Sequence, residues 1–282
     1  MADPLQCNRN LDPTNGLRRR DLQSTMPRYH IPLLMTLLFP AALLPVGAPV
    51  GAAGPAPAKT IRASPGGLMV HVPAGWFLMG SKQGNDNEFP ERRVYLDAFH
   101  IDRDPVTNRR YRGPKTQSYG PPDNRPDHPV TGITWFQARR YCRSLGKRLP
   151  TEAEWGKAAR RTGGNRYPWG ARWDGPKLVW ARNSGERTHP IGRSALNHTS
   201  PFGARDMVGN VMEWVSDWSQ KDYYAKAPNR NPKGAAAGKM RSLRGGSWYN
   251  DNPWDLDAAD RQRLPPVFGD DDIGFRCARD AK

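Results

Sequence analysis

The residues best suited to binding a metal ion lie in the segment RDMVGNVMEW, residues 205–214. Calcium is bound in proteins by carboxylate and backbone carbonyl oxygens together. A turn in the middle of this segment would bring the carboxylates of Asp206 and Glu213 together. The carbonyl groups of Gly209 and Val211 would then complete the set. The segment therefore predicts one structural calcium site, and the alternative is an ordinary turn with two surface acids.

A second group of polar residues lies in RGGSWYNDNPWD, residues 244–255, where two glycines allow a tight turn. Ser247, Asn250 and Asp255 offer a hydroxyl, an amide and a carboxylate, and Arg261 follows closely. These four side chains predict a polar cleft, and the neighbouring aspartates suit a cation or an amine-bearing ligand. A serine-hydrolase interpretation of Ser247 is weaker, because the segment lacks the strand, sharp turn and helix that expose such a nucleophile.

A third candidate consists of His100 and Asp102, which have the spacing of two members of a 2-His-1-carboxylate iron site. They also lie in an alternating segment, where residues two apart share one face of a strand. No motif supplies the second histidine. The sequence therefore favours a structural role for both residues.

Two helices with clear start and stop signals precede these candidate sites. Thr134 and Gln137 form the first capping box, and Gly146 ends that helix. Thr151 and Glu154 form the second, and the helix is predicted to end at the glycine pair 163–164.

Short strands are predicted elsewhere: two in residues 68–79, one over 94–101 and two more in the segments MRSLRGGSW and IGFRCARD. The chain contains 28 glycines, 28 prolines and 10 tryptophans, and only 37% of its residues are hydrophobic. Glycine and proline disfavour a helical bundle. The predicted fold class is therefore α+β, loop-rich and filled by large aromatic side chains.

Four segments follow one another along the chain. Residues 1–25 are polar and precede Met26, so we interpret them as an extension upstream of the true start. Residues 26–53 have the basic start, apolar run and small residues of a signal peptide. Residues 54–65 form a Pro/Ala-rich linker, and residues 66–281 form one folded domain. We therefore expect a periplasmic or secreted protein.

The apolar run between Ile31 and Val46 is interrupted by Pro40 and Pro45, so no stable membrane span is expected after signal cleavage. The alternative is an uncleaved anchor. The formal net charge is +16, but the basic residues are scattered and no nucleic-acid-binding motif accompanies them. The expected partner is therefore a small-molecule or peptide substrate and not a nucleic acid.

The chain has three cysteines, and Cys7 would be lost from a protein that begins at Met26. Cys142 and Cys277 remain, an even pair that favours one disulfide in an exported chain. Two buried thiols are the alternative.

Signature blocks spread over residues 66–280 resemble those of the formylglycine-generating enzymes, the sulfatase-modifying factors. The blocks are VPAGWFLMGS, HPVTGITWFQARRYCRSLGKRLPTEAEWGKAARR, YPWG, MVGNVMEWVSDW, LRGGSW and IGFRCARD. The resemblance implies an irregular α+β fold similar to C-type lectins. It also implies a disulfide between Cys142 and Cys277, and it matches the calcium residues, with asparagine as the family's residue at Asp206. Asn183 resembles the start of a second calcium site whose acidic loop is missing here.

In formylglycine generators, two cysteines that bind copper(I) follow the GGS block, and the corresponding positions here are Asn250 and Asp255. A hard amide and carboxylate do not replace thiolates for a soft ion, so copper(I) chemistry is not expected. Whether another redox metal takes its place is left open. The resemblance is to cysteine-free relatives such as the periplasmic pyoverdine-maturation proteins. It implies either an oxidative modification enzyme or maturation factor, or a non-catalytic binding module on a lectin-like scaffold.

Overall fold

The computed structural model describes the backbone of residues 60–63 and the residues 66–115, 124–192 and 199–281. Cys7, the predicted N-terminal extension, the predicted signal peptide and the start of the predicted linker lie outside the described residues. Within the described residues, no helix is long and apolar enough to cross a membrane.

Ten short strands in three antiparallel or mixed sheets form most of the regular structure in the described residues. They are β1 (Thr60–Ala63), β2 (Gly67–Val72), β3 (Gly75–Met79), β4 (Arg92–Leu96), β5 (Phe99–Asp102), β6 (Met212–Trp218), β7 (Arg241–Arg244), β8 (Gln262–Leu264), β9 (Ile273–Phe275) and β10 (Ala278–Asp280). The first sheet has the order β1-β2-β5-β10, the second is the hairpin β3-β4, and the third has the order β8-β7-β6-β9. Only β6 and β9 pair in parallel.

Three helices accompany the sheets in the described part of the chain: α1 (Trp135–Ser144), α2 (Glu152–Arg160) and the single turn α3 (Tyr223–Lys226). Both predicted capping boxes are confirmed, because Thr134 accepts from the backbone of Gln137 and Thr151 from that of Glu154. Few helices and many short strands confirm the predicted α+β class.

Two predicted boundaries are wrong. The strand expected over residues 94–101 is divided into β4 and β5, because Asp97 turns the chain by exchanging hydrogen bonds with the side chain of Asn231. The end of the predicted linker, residues 60–63, is strand β1, which pairs with β2 in the register Thr60↔Val70.

The hydrophobic core is concentrated around the two longer helices. Every residue of α2 is buried, and Trp155 is fully enclosed between this helix and the strands. Helix α1 buries Trp135, Ala138 and Cys142 against the third sheet. These contacts hold the helices against the strands that lead into the candidate cleft.

The structure joins Cys142, in α1, to Cys277, between β9 and β10, by a disulfide with the Cα atoms 5.6 Å apart. Asp102 reinforces this junction: its backbone N–H donates to the carbonyl of Cys277, and its carboxylate accepts from the N–H of Cys277. The other oxygen of Asp102 accepts from Lys147 at 2.7 Å, and both side chains are buried. Asp102 therefore has the structural role that the sequence favoured over an iron-binding role, although β2 does bring His71 beside His100.

Arg276 is completely buried, and its five N–H protons serve six acceptors, so one proton of Nη2 is shared between two of them. Its Nε and Nη2 atoms lie 2.7 Å from the two different carboxylate oxygens of Glu213. The other four acceptors are backbone carbonyl groups, namely those of Asp102, Arg103, Arg205 and Asp206. Glu213 also accepts from the indole N–H of Trp155 at 2.8 Å. One buried guanidinium therefore ties together β5, β6 and the loop before β6.

Opening the disulfide should destabilise the protein. The bridge closes a segment of 135 residues, for which the chain-entropy model gives a stabilisation of about 4–5 kcal/mol. We expect non-reducing peptide mapping of exported protein to find the Cys142–Cys277 crosslink, and the double variant Cys142→Ala/Cys277→Ala to unfold at lower denaturant. Two free thiols in the exported protein would contradict this prediction.

Removing the buried guanidinium should cost more than removing an exposed one. In Arg276→Met, Glu213 keeps its charge in a buried position without its cationic partner, so we expect the free energy of unfolding to fall by about 3–5 kcal/mol in denaturant titrations. Arg263→Met, at an exposed position of β8, is the matched control and should change stability by less than about 0.5 kcal/mol. Equal losses in the free energy of unfolding would show that the buried ion pair stabilises the protein no more than an exposed arginine does.

Candidate functional site

The candidate cleft begins where β7 ends, at a turn that requires glycine. Gly245 and Gly246 have φ values of 96° and 61°, in the left-handed region. A Cβ atom on Gly245 would lie 2.7 Å from the carbonyl oxygen of Met207, and one on Gly246 would lie 2.6 Å from that of Asp255. The backbone therefore folds tightly over the loop that carries the polar residues.

The residue before this turn anchors the far side of the loop. Arg244 is buried, and its guanidinium donates to the carbonyl groups of Ala258 and Ala259 at 2.8 and 2.7 Å. It also lies over the ring of Trp155, 5.3 Å from the ring centre. The start and the end of the cleft loop are thus held against the same strand.

Ser247 lies at the bottom of the cleft and is completely buried. Its hydroxyl lies 2.7 Å from a carboxylate oxygen of Asp272 and 3.1 Å from the side-chain oxygen of Asn250. A hydroxyl has one proton, and the closer, charged Asp272 is the stronger acceptor. The backbone N–H of Ser247 donates to the Asn250 oxygen at 2.8 Å. Ser247 is therefore a buried positioning group for Asn250.

Asn250 and Asp255 meet at the glycine turn, where a Cβ atom on Gly246 would lie 2.6 Å from the carbonyl oxygen of Asp255 and 3.4 Å from the side-chain oxygen of Asn250. Partial burial raises the pKa of Asp255, the side chain of Asn250 opposes this effect, and the negative charge of Asp251 adds to it. Three of the four predicted cleft residues are therefore brought together.

The fourth predicted residue, Arg261, does not join them. Its Nε and Nη2 atoms lie 2.7 and 2.9 Å from the two carboxylate oxygens of Glu152, and both side chains are buried. Its guanidinium also lies over the ring of Tyr224, 4.1 Å from the ring centre. The cleft assignment of Arg261 is wrong, because this arginine neutralises a buried carboxylate at the start of α2.

The Glu152–Arg261 pair belongs to a buried charged network that the sequence analysis missed. Asp217 accepts from the backbone N–H of Glu152 at 2.8 Å and from the hydroxyl of Ser216 at 2.9 Å. Burial, and then the charge of Glu152, raise the pKa of Asp217 well above its usual range. The sequence signal was the unusual density of charged residues between the apolar positions of α2.

An aromatic side chain forms the rim beside Asp255. Trp254 is 49% exposed, and the guanidinium carbon of Arg166 lies 3.5 Å from its ring centre. Asp257 holds Arg166 in place with a hydrogen bond of 2.8 Å. The neighbouring Tyr167 donates from its hydroxyl to the carbonyl of Pro253. Trp254 therefore presents a fixed indole next to the polar groups.

Three consecutive acids adjoin Ser247. Asp270, Asp271 and Asp272 each place one carboxylate oxygen within 4.8 Å of the others. Asp270 also accepts from the backbone N–H of Asp271 at 2.8 Å, and Asp272 accepts from Ser247. A group of hard oxygen ligands therefore lies next to Ser247.

Three of the four predicted calcium residues lie in the loop before β6, and Glu213 is the second residue of β6. Asp206 and Gly209 adopt positive φ values, and a Cβ atom on Gly209 would lie 2.5 Å from the carbonyl oxygen of Val179. Asp206 accepts from the backbone N–H of Gly192 at 3.1 Å. The guanidinium of Arg276 contacts both the Asp206 carbonyl and Glu213.

Arg276 thus links the backbone carbonyl of Asp206 to the carboxylate of Glu213, and the calcium site stays a prediction. These contacts also give Glu213 an internal cationic partner that the sequence analysis did not foresee. One carboxylate oxygen of Glu213 accepts from both Trp155 and Arg276, whereas the other accepts one bond from Arg276. The second oxygen therefore keeps a lone pair that can face a cation.

Asn183, the candidate for a second calcium site, has a turn-closing role. Its side-chain oxygen accepts from the backbone N–H of Trp180 at 2.9 Å, and its amino group donates to the carbonyl groups of Leu178 and Gly175. The Asn183 side chain therefore closes a turn of the backbone, at the position where the sequence suggested a second calcium site.

Comparisons with known proteins show which proteins this chain resembles in sequence and in fold. Residues 56–281 match the family model described as "Sulfatase-modifying factor enzyme 1-like domain". The formylglycine-generating enzyme of Streptomyces coelicolor is 32% identical over 303 residues, covering 83% of this chain and 95% of that enzyme. The serine/threonine-protein kinase pkn1 of Chlamydia caviae is 35% identical over 244 residues and 76% of this chain, but the match spans only 38% of the kinase.

Among solved structures, PvdO from Pseudomonas aeruginosa aligns with a TM-score of 0.68 and 24% identity, over 80% of this chain and 100% of that one. This likeness shows the shared fold. The matched family model extends over nearly the whole described region, including β1 and the candidate cleft. The chain belongs to the sulfatase-modifying factor family.

Proposed function

We propose that this chain is an exported member of the family that acts in an oxidative modification or maturation pathway without a copper-binding cysteine pair. The observation that carries the proposal is that Asn250 and Asp255 lie side by side at the glycine turn, at the positions where the family resemblance expects the cysteines. An amide and a carboxylate are hard ligands, and they do not hold a soft copper(I) ion. The cleft instead suits a small-molecule or peptide substrate bound by hydrogen bonds.

Each polar group in the cleft has a definable part in binding. Asp272 and Ser247 fix the rotamer of Asn250 from below. Asp255 lies beside Asn250, and its raised pKa makes its carboxyl group a better proton acceptor than an ordinary aspartate. Trp254 offers an indole face beside this carboxyl group. Such pre-organisation lowers the entropic cost of holding a substrate.

Export to the periplasm or to the outside is supported by two independent features. Residues 26–53 have the composition of a signal peptide. The Cys142–Cys277 pair has disulfide geometry, and disulfides persist in oxidising compartments.

A non-catalytic binding module is the second candidate. It is favoured by the mutual engagement of Ser247, Asn250 and Asp272, whose hydrogen bonds suit a rigid recognition surface. Elemental analysis of the purified mature protein separates the two, because a retained redox metal supports the enzyme and its absence supports the module. Mass spectrometry of metabolites from a deletion strain and its parent would then identify the substrate.

The protein is expected to leave a sulfatase-motif cysteine peptide unchanged when copper and oxygen are supplied. The reason is that Asn250 and Asp255 provide no thiolate to hold copper(I). Mass spectrometry of the peptide is the measurement, and the formylglycine-generating enzyme of Streptomyces coelicolor is the positive control. A mass loss that corresponds to conversion of the thiol to an aldehyde would overturn this prediction.

Asp255→Ala is expected to abolish complementation of a deletion strain while leaving the melting temperature within about 2 °C of wild type. This substitution leaves the Ser247–Asn250 hydrogen bonds in place. Asn250→Ala should also abolish complementation, but it leaves the buried N–H of Ser247 without its acceptor and should cost about 1–3 kcal/mol of stability. Asp222→Ala, at an exposed position, is the control. Full complementation by Asp255→Ala would exclude this cleft as the functional site.

We also propose that the carboxylates of Asp206 and Glu213 and the carbonyl groups of Gly209 and Val211 hold one structural calcium ion. The ion would stabilise the loop before β6 and would take no part in a reaction. The positive charge of Arg276 opposes a cation here, so the binding of calcium has to be measured separately from the effect of the ion pair.

Calcium should raise the melting temperature of the wild-type protein relative to a sample with chelator. When the calcium concentration is 100 times the Kd, the free energy of unfolding should increase by about 2.7 kcal/mol. Glu213→Ala does not test this, because it also removes the partner of Arg276. Asp206→Ala keeps that pair and should abolish the calcium-dependent shift. Superimposable wild-type melting curves in calcium and in chelator would show that the site is an ordinary turn.

A further inference from the structure

A cavity of about 690 Å³ lies on the part of the molecule formed by α1, the start of α2, the turn between β4 and β5 and the C-terminal residues. None of its lining residues belongs to the Ser247–Asn250–Asp255 cleft. We call this cavity the α1 groove. Its volume lies within the range of about 300–1,000 Å³ that is usual for small-molecule sites.

The base of the α1 groove is apolar and rigid. Leu96, Trp135 and Leu149 line it, and each is almost fully buried. The indole N–H of Trp135 donates to the carbonyl of Val215 at 2.8 Å, and the guanidinium of Arg241 lies 3.7 Å from its ring centre. A fixed tryptophan in an apolar base suits a ligand with an aromatic or aliphatic body.

Each acid that lines the groove has a basic partner within the protein. Arg148 binds Glu154 through two hydrogen bonds of 2.7 Å, and it also binds Asp280. Asp97 accepts from Asn231 at 2.8 Å and lies 3.4 Å from the guanidinium of Arg230. These partners reduce, without cancelling, the negative charge that the carboxylates present to a ligand.

The remaining lining cations lie at the mouth of the groove. Arg139 and Arg143 are four residues apart on α1, so they are neighbours on one helix face. Lys233 is an exposed lining residue from another segment of the chain. Like charges at this helical spacing repel. Burial lowers the pKa of Arg241 to about 10. The negative charge of Asp217 opposes this shift, and the positive charge of Arg139 adds to it. An anion at the mouth would relieve this repulsion.

We propose that the α1 groove binds a small organic anion whose apolar body packs on Leu96, Trp135 and Leu149 and whose carboxylate, sulfonate or phosphate group is held by Arg139, Arg143 and Lys233. The proposal rests on the shape and charge of this groove alone. It holds whichever of the two functions applies to the cleft, and it adds a second ligand site to the chain.

The probe is 8-anilino-1-naphthalenesulfonate, which combines an apolar aromatic body with one sulfonate and becomes fluorescent when bound. We expect saturable binding to the wild-type protein that weakens as salt rises from about 50 to 500 mM, since salt screens charges at an open site. The double variant Arg139→Gln/Arg143→Gln should raise the Kd about tenfold, which corresponds to about 1.4 kcal/mol.

Two controls separate this site from general adhesion of the dye. Arg140→Gln removes an exposed arginine from the same helix that does not line the groove, and it should change the Kd less than about twofold. N-phenyl-1-naphthylamine has the same aromatic body without the sulfonate, and its weaker binding should not respond to the double variant. Melting curves establish that both variants are folded.

Equal effects of the double variant and of Arg140→Gln on the Kd would overturn the proposal. So would an affinity that salt does not change, or wild-type protein that does not bind the sulfonate. Binding of a hexaglutamate peptide without binding of the sulfonate would also overturn it, because the groove would then be a surface for an acidic protein segment.

Discussion

The buried ion pair between Glu213 and Arg276 is the constraint on which the rest of the structure depends. Removing two charges from water costs several kcal/mol each unless their hydrogen-bonding capacity is filled. Here the carboxylate accepts from Trp155 as well as from Arg276, and the remaining guanidinium protons go to four carbonyl groups. The pair is therefore stable only when β5, the loop before β6, α2 and the segment after β9 are all in place.

This requirement also positions the candidate cleft. Glu213 pairs with Arg244 in the β6–β7 register, and β7 leads directly into the glycine turn over Ser247. A displaced β6 would move the cleft loop with it, and Asn250 would lose its partners. The α1 groove depends on the middle of the same strand, because the indole N–H of Trp135 donates a hydrogen bond to the carbonyl of Val215 in β6. One central strand thus serves a hydrogen-bonding cleft and an apolar groove with a cationic mouth.

Much of the fold was predictable from the sequence because its signals are local. A capping box needs only the residues of one helical turn, so Thr134 and Thr151 identify the starts of α1 and α2 directly. The pattern of short strands and turn residues sufficed for the α+β class. In the cleft, the association of Ser247 with Asn250 was predictable because they lie three positions apart in one tight turn. The asparagine at position 250 and the aspartate at position 255 were equally visible in the sequence.

The roles of residues whose partners lie far away along the chain were decided only by the tertiary structure. Arg261 looked like part of the cleft, but Glu152, 109 residues away, binds it in the core. Asp97 ends β4 because Asn231, 134 residues later, captures its backbone and carboxylate. In both cases the partner is brought into reach by the packing of strands and helices and not by spacing along the chain. For Arg261 the burial of its charge adds a second reason, because only a carboxylate such as Glu152 compensates it.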